Sequence, residues 1–461
     1  KIKKISPVMD ILSNTVDVLP KVVSPTAKRK YLVLFQNNME LRPGGGFIGS
    51  YGILTLDRGR VKDFTIHDVY DADGQLKGHI EPPFFVRRYM RIPHLYLRDS
   101  NFDVDFSKSA PISAKILASA MKEEVDGVIG LDLSFVKQVI AAVGPISVPE
   151  YNETVTAENF FLKTESHVEK DFFPGSTQKK DFLQSLMKAL LMKVEKGNLP
   201  VFALLEKTAQ AIKEKHVLFA FGDTNIQNIF TANGLSSSIW QGHMIQKGGV
   251  DDFIGVNEAN IGVNKVNYFI QRSINHHITI LPTGELREEH TTTYRNTSEK
   301  NVWPGGDYTN FMRVVLPKGT VVNEISINGA RQEVVEAITD PKLYESPSFV
   351  RPRGLEVQKY DQGDKTIYGF LVVIPAGANS TVSVSYTLGQ KFDISKPFLP
   401  YIMKLFKQPG TENDPFSLRI SYPGNFQVMN ASSGFSNSDG VLSSIGYLST
   451  DMQLRVEFTK K

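Results

Sequence analysis

The chain has 461 residues, too many for one compact core, so two or three domains are expected. Its 41% hydrophobic and 22% charged content is that of a globular protein, and a net charge of +3 supplies no basic surface of the kind nucleic acid requires. There is no cysteine, which excludes disulfides, thiolate metal sites and cysteine nucleophiles.

No apolar run approaches the roughly 18 residues that cross a bilayer. Lys1, Lys3 and Lys4 surround Ile2 at the start of the sequence. One reading is the outer edge of a membrane anchor or export signal lying upstream; the plainer one is a solvated end. Residues 1–30 form a lead-in, closed by Pro20 and Pro25. An apolar run at 31–35 has strand length. A loop with Arg42-Pro43-Gly44-Gly45-Gly46 follows, then strands at 47–56 and 61–67 around a tight turn at 57–60. Residues 109–121 carry Ile112, Ile116, Leu117 and Ala120 at helical spacing. A buried strand at 125–131 leads to a helix at 135–143, with Ser134 as its expected cap and Gly144-Pro145 as its stop. A short strand at 146–148, a helix at 178–195, another at 201–215 and a strand at 217–221 complete the pattern. Strands alternating with helices predict an α/β domain over 31–272. From 273 to 461 short strands separated by turns predict an all-β sandwich, as one body with long insertions or as two units.

Several segments resemble domain of unknown function family 4012: residues 35–43 with 45–50, Leu97-Arg98-Asp99-Ser100-Asn101 with Asp105-Phe106, 125–129 with 144–146, 257–262 with Asn264-Lys265, and 407–411. That family looks like a distant relative of the LytR-CpsA-Psr cell-wall glycopolymer ligases. The likeness implies a mixed sheet covered by helices, an extracytoplasmic place at the bacterial cell surface, and a membrane anchor ahead of the domain. It also implies a partner: a polyprenyl-linked or wall-linked anionic glycopolymer, bound and, in an intact ligase, transferred to peptidoglycan. In those ligases arginines hold pyrophosphate and aspartates hold magnesium. This chain departs from them, with Gln36-Asn37-Asn38 after the first strand, Phe47-Ile48-Gly49-Ser50 opening the second, and His67-Asp68 closing the third. No catalytic residue is assigned.

The candidate pyrophosphate ligands are Arg42, Arg98, Lys179 and Lys180, and the candidate magnesium ligands are Asp68, Asp71 and Asp99. Glycines around Arg42 would let backbone N–H groups approach an anion, or simply make a turn. Asp68, Asp71 and Asp73 cluster at a strand end, which is also how a hydrated acidic turn looks. Arg98 and Asp99 open a polar stretch whose 99, 101, 103, 105 spacing lacks the glycine and distal glutamate of a calcium loop. Lys179 and Lys180 oppose a helix dipole in its first turn, a local cost that a bound anion would offset. Arg42, Arg98 and one of these lysines are expected to share a cleft with Asp68 or Asp71. A rival reading from another class is a non-catalytic structural or adhesive surface protein, self-associating through its β region.

Overall fold

The computed structural model describes residues 19–169, 178–195, 200–236, 238–240, 242, 248–300 and 302–460. It divides into two compact units. The first takes the described residues up to Asn38, then Arg42–Ile80 and Leu95–Ser238; the second takes Met39–Leu41, Glu81–His94 and the residues from Ile239 onward. Among the described residues no helix is long and apolar enough to cross a membrane.

In the first unit, β1 (Lys28–Asn37), β2 (Phe47–Asp57), β3 (Arg60–Asp68) and β4 (Gly127–Asp132) precede a small hairpin of β5 (Ile146–Val148) and β6 (Glu153–Val155), then β7 (Val217–Phe221). The main sheet has the order β3-β2-β1-β4-β7. β1 runs antiparallel to β2 and parallel to β4, so the sheet is mixed. Tyr31 to Leu34 are buried on both faces, which is why β1 reads as a continuous apolar run rather than an alternation.

Helix Phe106–Met121 lays Ile116 and Leu117 on Leu32, Leu34, Val128 and Leu218. It begins three residues before the expected start because Asp105 caps it, accepting the Ser107 N–H at 2.9 Å. Helix Leu133–Val143 is likewise capped by Asp132, which accepts the Phe135 N–H at 2.9 Å. The expected cap Ser134 instead accepts a hydrogen bond from Asn38 at 2.9 Å. β4 passes into this helix without a loop, so the strand's last residue already holds the capping place. Helix Gln178–Glu195 sets Phe182 and Leu186 against Ile140, Val148 and Phe160.

The second unit opens with β8 (Val250–Asn260), β9 (Ile270–Ile280), β10 (Glu285–Asn296), β11 (Tyr308–Pro317), β12 (Val321–Ile327), β13 (Ala330–Arg331), β14 (Val334–Glu336) and β15 (Leu355–Gln362). It continues through β16 (Lys365–Ile374), β17 (Asn379–Lys391), β18 (Phe398–Phe406), β19 (Asp414–Ser421), β20 (Phe426–Ala431), β21 (Ser436–Ser438), β22 (Val441–Leu448) and β23 (Met452–Lys460). Two eight-stranded sheets result, ordered β13-β12-β17-β10-β9-β19-β22-β21 and β14-β15-β16-β11-β8-β18-β23-β20. One apolar core lies between them.

The parallel pairs β8·β18 and β9·β19 join the two halves of each sheet, so the region is one sandwich rather than two units. The expected boundary at 272/273 falls inside β9, and β8 already belongs to the sandwich. β8 is buried along nearly its whole length, and such a strand is indistinguishable in sequence from one in an α/β sheet.

The segments that carry the family resemblance in this unit are structural. Gln408 accepts the Glu258 N–H and donates to its carbonyl, both at 2.7 Å. Asn267 accepts the Leu41 N–H at 3.0 Å, and Asn260 donates its own N–H to the Leu41 carbonyl at 2.8 Å. From helix Phe84–Met90, Arg88 forks onto Glu356 at 2.7 and 2.8 Å, and Phe85 stacks on Phe311 with ring centroids 4.3 Å apart.

At the centre sits Glu258. Its carboxylate accepts from Arg272 at 2.9–3.1 Å, from Tyr294 at 2.8 Å and from Tyr308 at 2.6 Å. All four side chains are buried. Glu258→Gln would leave the Arg272 guanidinium enclosed without its counter-charge. A loss of about 3–5 kcal/mol is expected in chemical denaturation of the sandwich, against a change within about 0.5 kcal/mol for Glu289→Gln on the exposed face.

Candidate functional site

The β1–β2 loop makes its glycines necessary. A Cβ on Gly46 would lie 2.4 Å from the Asn37 carbonyl, and Gly45 has φ of 120°. The loop closes on Asn101: the Gly44 N–H donates to the Asn101 carbonyl at 3.1 Å, and the Asn101 amide donates to Gln36 at 2.6 Å and to the Gly46 carbonyl at 2.7 Å. This tight turn carries Arg42 inward, to 1% exposure. The guanidinium lies 4.6 Å from the Phe102 ring and 4.0 Å from the Asp99 carboxylate.

Arg98 reaches the same carboxylate at 3.4 Å, bonds Asp73 at 2.8 Å, and stacks over Tyr96 at 4.2 Å. Asp73 also accepts the Leu97 N–H at 2.7 Å. Burial pushes the Asp99 and Asp73 carboxyls upward, and the arginines partly offset it. Arg42 and Arg98 thus meet, at Asp99, but Arg42 faces protein rather than solvent.

The other expected ligands are placed separately. Asp68 caps helix Val69–Asp73, accepting the Tyr70 N–H at 2.9 Å, while Asp71 is exposed on that helix. Asp99 is enclosed between two arginines. Among the described residues no group of three histidine, aspartate or glutamate side chains could hold a metal ion. The magnesium set Asp68, Asp71 and Asp99 is therefore not assembled, because capping and ion pairing already occupy two of its members. Lys179 and Lys180 fall in the first turn of helix Gln178–Glu195, and their side chains lie outside the described residues, as do Ser176 and Thr177 entirely.

A feature not expected from the sequence is an open groove. Helix Phe106–Met121 packs on β4 and β7, and its Leu117 and Met121 border a hollow beside β2 and β3. A cavity of about 370 Å³ lies there, with Tyr51, Ile53, Leu117 and Met121 among its walls and Lys28, Lys30 and Lys62 also lining it. Lys30 is paired with Glu123 at 2.6 Å. Tyr51 stacks on His67 with centroids 5.1 Å apart, and its hydroxyl is buried without a hydrogen-bond partner among the described residues. Burial, then Asp71, Asp73 and Asp68, push that hydroxyl up to about 12, so it stays a neutral donor. Beyond His67 and Met121 a second hollow of about 620 Å³ continues to Asp71. The available signal was the alternation in β3, where Asp63, Thr65 and His67 share one polar face.

Because Arg42 is enclosed and Arg98 is not, their alanine variants should differ. Arg42→Ala is expected to cost about 3–5 kcal/mol, by stranding Asp99 and emptying the space beside Phe102. Arg98→Ala should cost about half as much, since its guanidinium keeps contact with solvent. Urea denaturation of the two variants is the check.

A comparison with the curated proteins finds no match. Among solved structures, a candidate nutrient-binding protein from Legionella pneumophila is 13% identical, with 41% of this chain and 67% of that one covered and a TM-score of 0.27. A Listeria innocua protein is 13% identical over 46% of this chain and 80% of its own, with a TM-score of 0.26. An M1 zinc metallopeptidase from Deinococcus radiodurans is 12% identical at a TM-score of 0.23, and the similarity covers 41% of this chain and 42% of that enzyme. Residues 26–168 match the model of a family described as protein of unknown function, DUF4012, a span that includes the Arg42 loop and the Arg98–Asp99 pair.

Proposed function

We propose that the first unit binds the anionic, lipid-linked end of a cell-envelope glycopolymer in the groove beside β2 and β3, as a distant, non-catalytic relative of the LytR-CpsA-Psr ligases. One observation carries this reading: a groove beside β2 and β3 that sets Tyr51, Ile53, Leu117 and Met121 next to Lys28, Lys30 and Lys62, with Asp63 and Glu123 also on its walls. Tyr51, Ile53, Leu117 and Met121 suit a hydrocarbon chain, and Lys28 and Lys62 suit phosphate oxygens. The buried Tyr51 hydroxyl is a donor in search of an acceptor. Transfer is not part of the proposal, because Arg42 and Asp99 are engaged with each other inside the fold. A pyrophosphate brings oxygen ligands of its own, so a magnesium ion held between it and the exposed Asp71 would add to binding. The proposal includes an extracytoplasmic location and an upstream membrane anchor. Protease accessibility of the full-length product on intact cells tests that part, and complete protection there would end it.

The rival adhesive reading has its own support in the outer face of one sandwich sheet. Ser326, Ser383, Thr291, Asn275 and Ser417 stand in one row across five paired strands, four hydroxyls and an amide side by side. Titration with a polyprenyl pyrophosphate in detergent separates the two. Saturable binding that the double change Lys28→Ala and Lys62→Ala weakens about tenfold or more, with unchanged melting, supports the groove. Absence of saturable binding with the wild-type chain, with and without magnesium, favours the adhesive reading.

A further inference from the structure

The sandwich contains a second buried polar cluster, separate from Glu258. Asp252 from β8 and Tyr401 from β18 belong to one sheet; Glu288 and His290 from β10, His276 from β9 and Tyr386 from β17 belong to the other. All six side chains are buried. Across the gap the Asp252 and Glu288 carboxyls are within hydrogen-bonding reach of each other.

The Tyr401 hydroxyl donates to Asp252, the Tyr386 hydroxyl donates to Glu288 at 2.8 Å, and His276 Nε2 lies 3.0 Å from the same Glu288 oxygen. His290 Nε2 lies 3.3 Å from the Thr292 hydroxyl, and the His276 and His290 rings are 5.5 Å apart. Glu288 Oε1 and the Nδ1 atoms of both histidines have no hydrogen-bond partner among the described residues.

Two carboxylates cannot face each other in an apolar core without a proton or a cation between them. Among the described residues, the groups packed around this pair include no arginine or lysine. Burial drives His276 down to about 4 and His290 down to about 3, so both rings are neutral at ordinary pH. His276 then donates from Nε2, which leaves its Nδ1 bare, as observed. The two tyrosine hydroxyls donate but carry no charge. A shared proton is what remains, and it also supplies the donor that Glu288 Oε1 lacks.

We propose that Asp252 and Glu288 form a proton-held clasp between the two sheets, and that loss of the shared proton loosens the sandwich. Burial raises Glu288 to about 7 and Asp252 well above its ordinary value. The folded clasp therefore keeps protons that an unfolded chain gives up near pH ~4, so its stabilisation is present in acid and is lost as pH rises toward the folded values. The histidines act in the opposite direction. An unfolded chain binds their protons near pH ~6.5 and the folded one does not, so stability falls as pH drops from there toward about 4. Between these limits the two pairs offset each other. On the alkaline side only the loss from the clasp remains.

Hydrogen exchange of the whole chain, corrected for the intrinsic rate, reads this directly. Protection of β8 and β10 peptides should fall several-fold between pH 7 and pH 9, above the histidine window, while β1 peptides hold theirs. Glu288→Gln, which removes one of the two titrating carboxyls and leaves Asp252 in place, should reduce the fall severalfold. Equal falls in variant and wild type, or no fall in wild type, overturn the proposal. If Glu288→Gln does not fold, carboxyl carbon NMR of the wild-type chain decides. A carboxyl step near or above neutral upholds the clasp, and titration of every carboxyl below pH 5 refutes it.

Discussion

Glu258 sets a carboxylate deep between the two sheets, and much of the second unit is arranged around that fact. A carboxylate in such a place is tolerated only if strong donors surround it. Arg272 comes from β9, Tyr294 from β10 and Tyr308 from β11, so one side chain of β8 fixes the register of three other strands. The backbone of Glu258 is held in turn by Gln408, which follows β18. A hydrophobic core alone tolerates sliding of strands by two residues; a buried carboxylate with three specific donors does not.

The same physics explains the first unit's arginine. A guanidinium in a glycine loop is the usual form of an anion site, and here the anion is supplied by the chain itself, at Asp99. Gly46 lets the loop fold tightly enough to bring Arg42 under Phe102, and Asn101 ties the loop down. The residues that most suggest ligand binding therefore serve to hold β1, β2 and the Leu97–Asp99 turn together. An open hollow lies instead beside β2 and β3, among residue types that are individually unremarkable. Lysines, a tyrosine and a histidine on neighbouring strands form a groove together with Leu117 and Met121 of helix Phe106–Met121.

Charge burial also sets apart the two polar clusters inside the sandwich. Around Glu258 an arginine and two hydroxyls donate to one carboxylate. Around Asp252 and Glu288 two acids meet neutral imidazoles, and the balance rests on protons. The two clusters thus differ in composition, although both sit between the same two sheets.

The strands and helices were legible in the sequence wherever local periodicity and caps decide them: β1 as an apolar run, helix Gln178–Glu195 by its apolar face, and the all-β character of the second half. β8 was misassigned because a strand buried on both faces has no period to read. Ser134 gave way to Asp132 as a cap because the strand-to-helix join has no loop. Arg42 and Arg98 were expected in one cleft with a lysine and Asp68 or Asp71, whereas Arg42 is enclosed beside Asp99. Spacing along a chain carries no information about which side of a loop faces water. By itself the sequence determined the elements and the types of charge available. Only the tertiary structure decided which charges were neutralised within the fold, since that depends on long-range partners and on desolvation, neither of which is a local property of the chain.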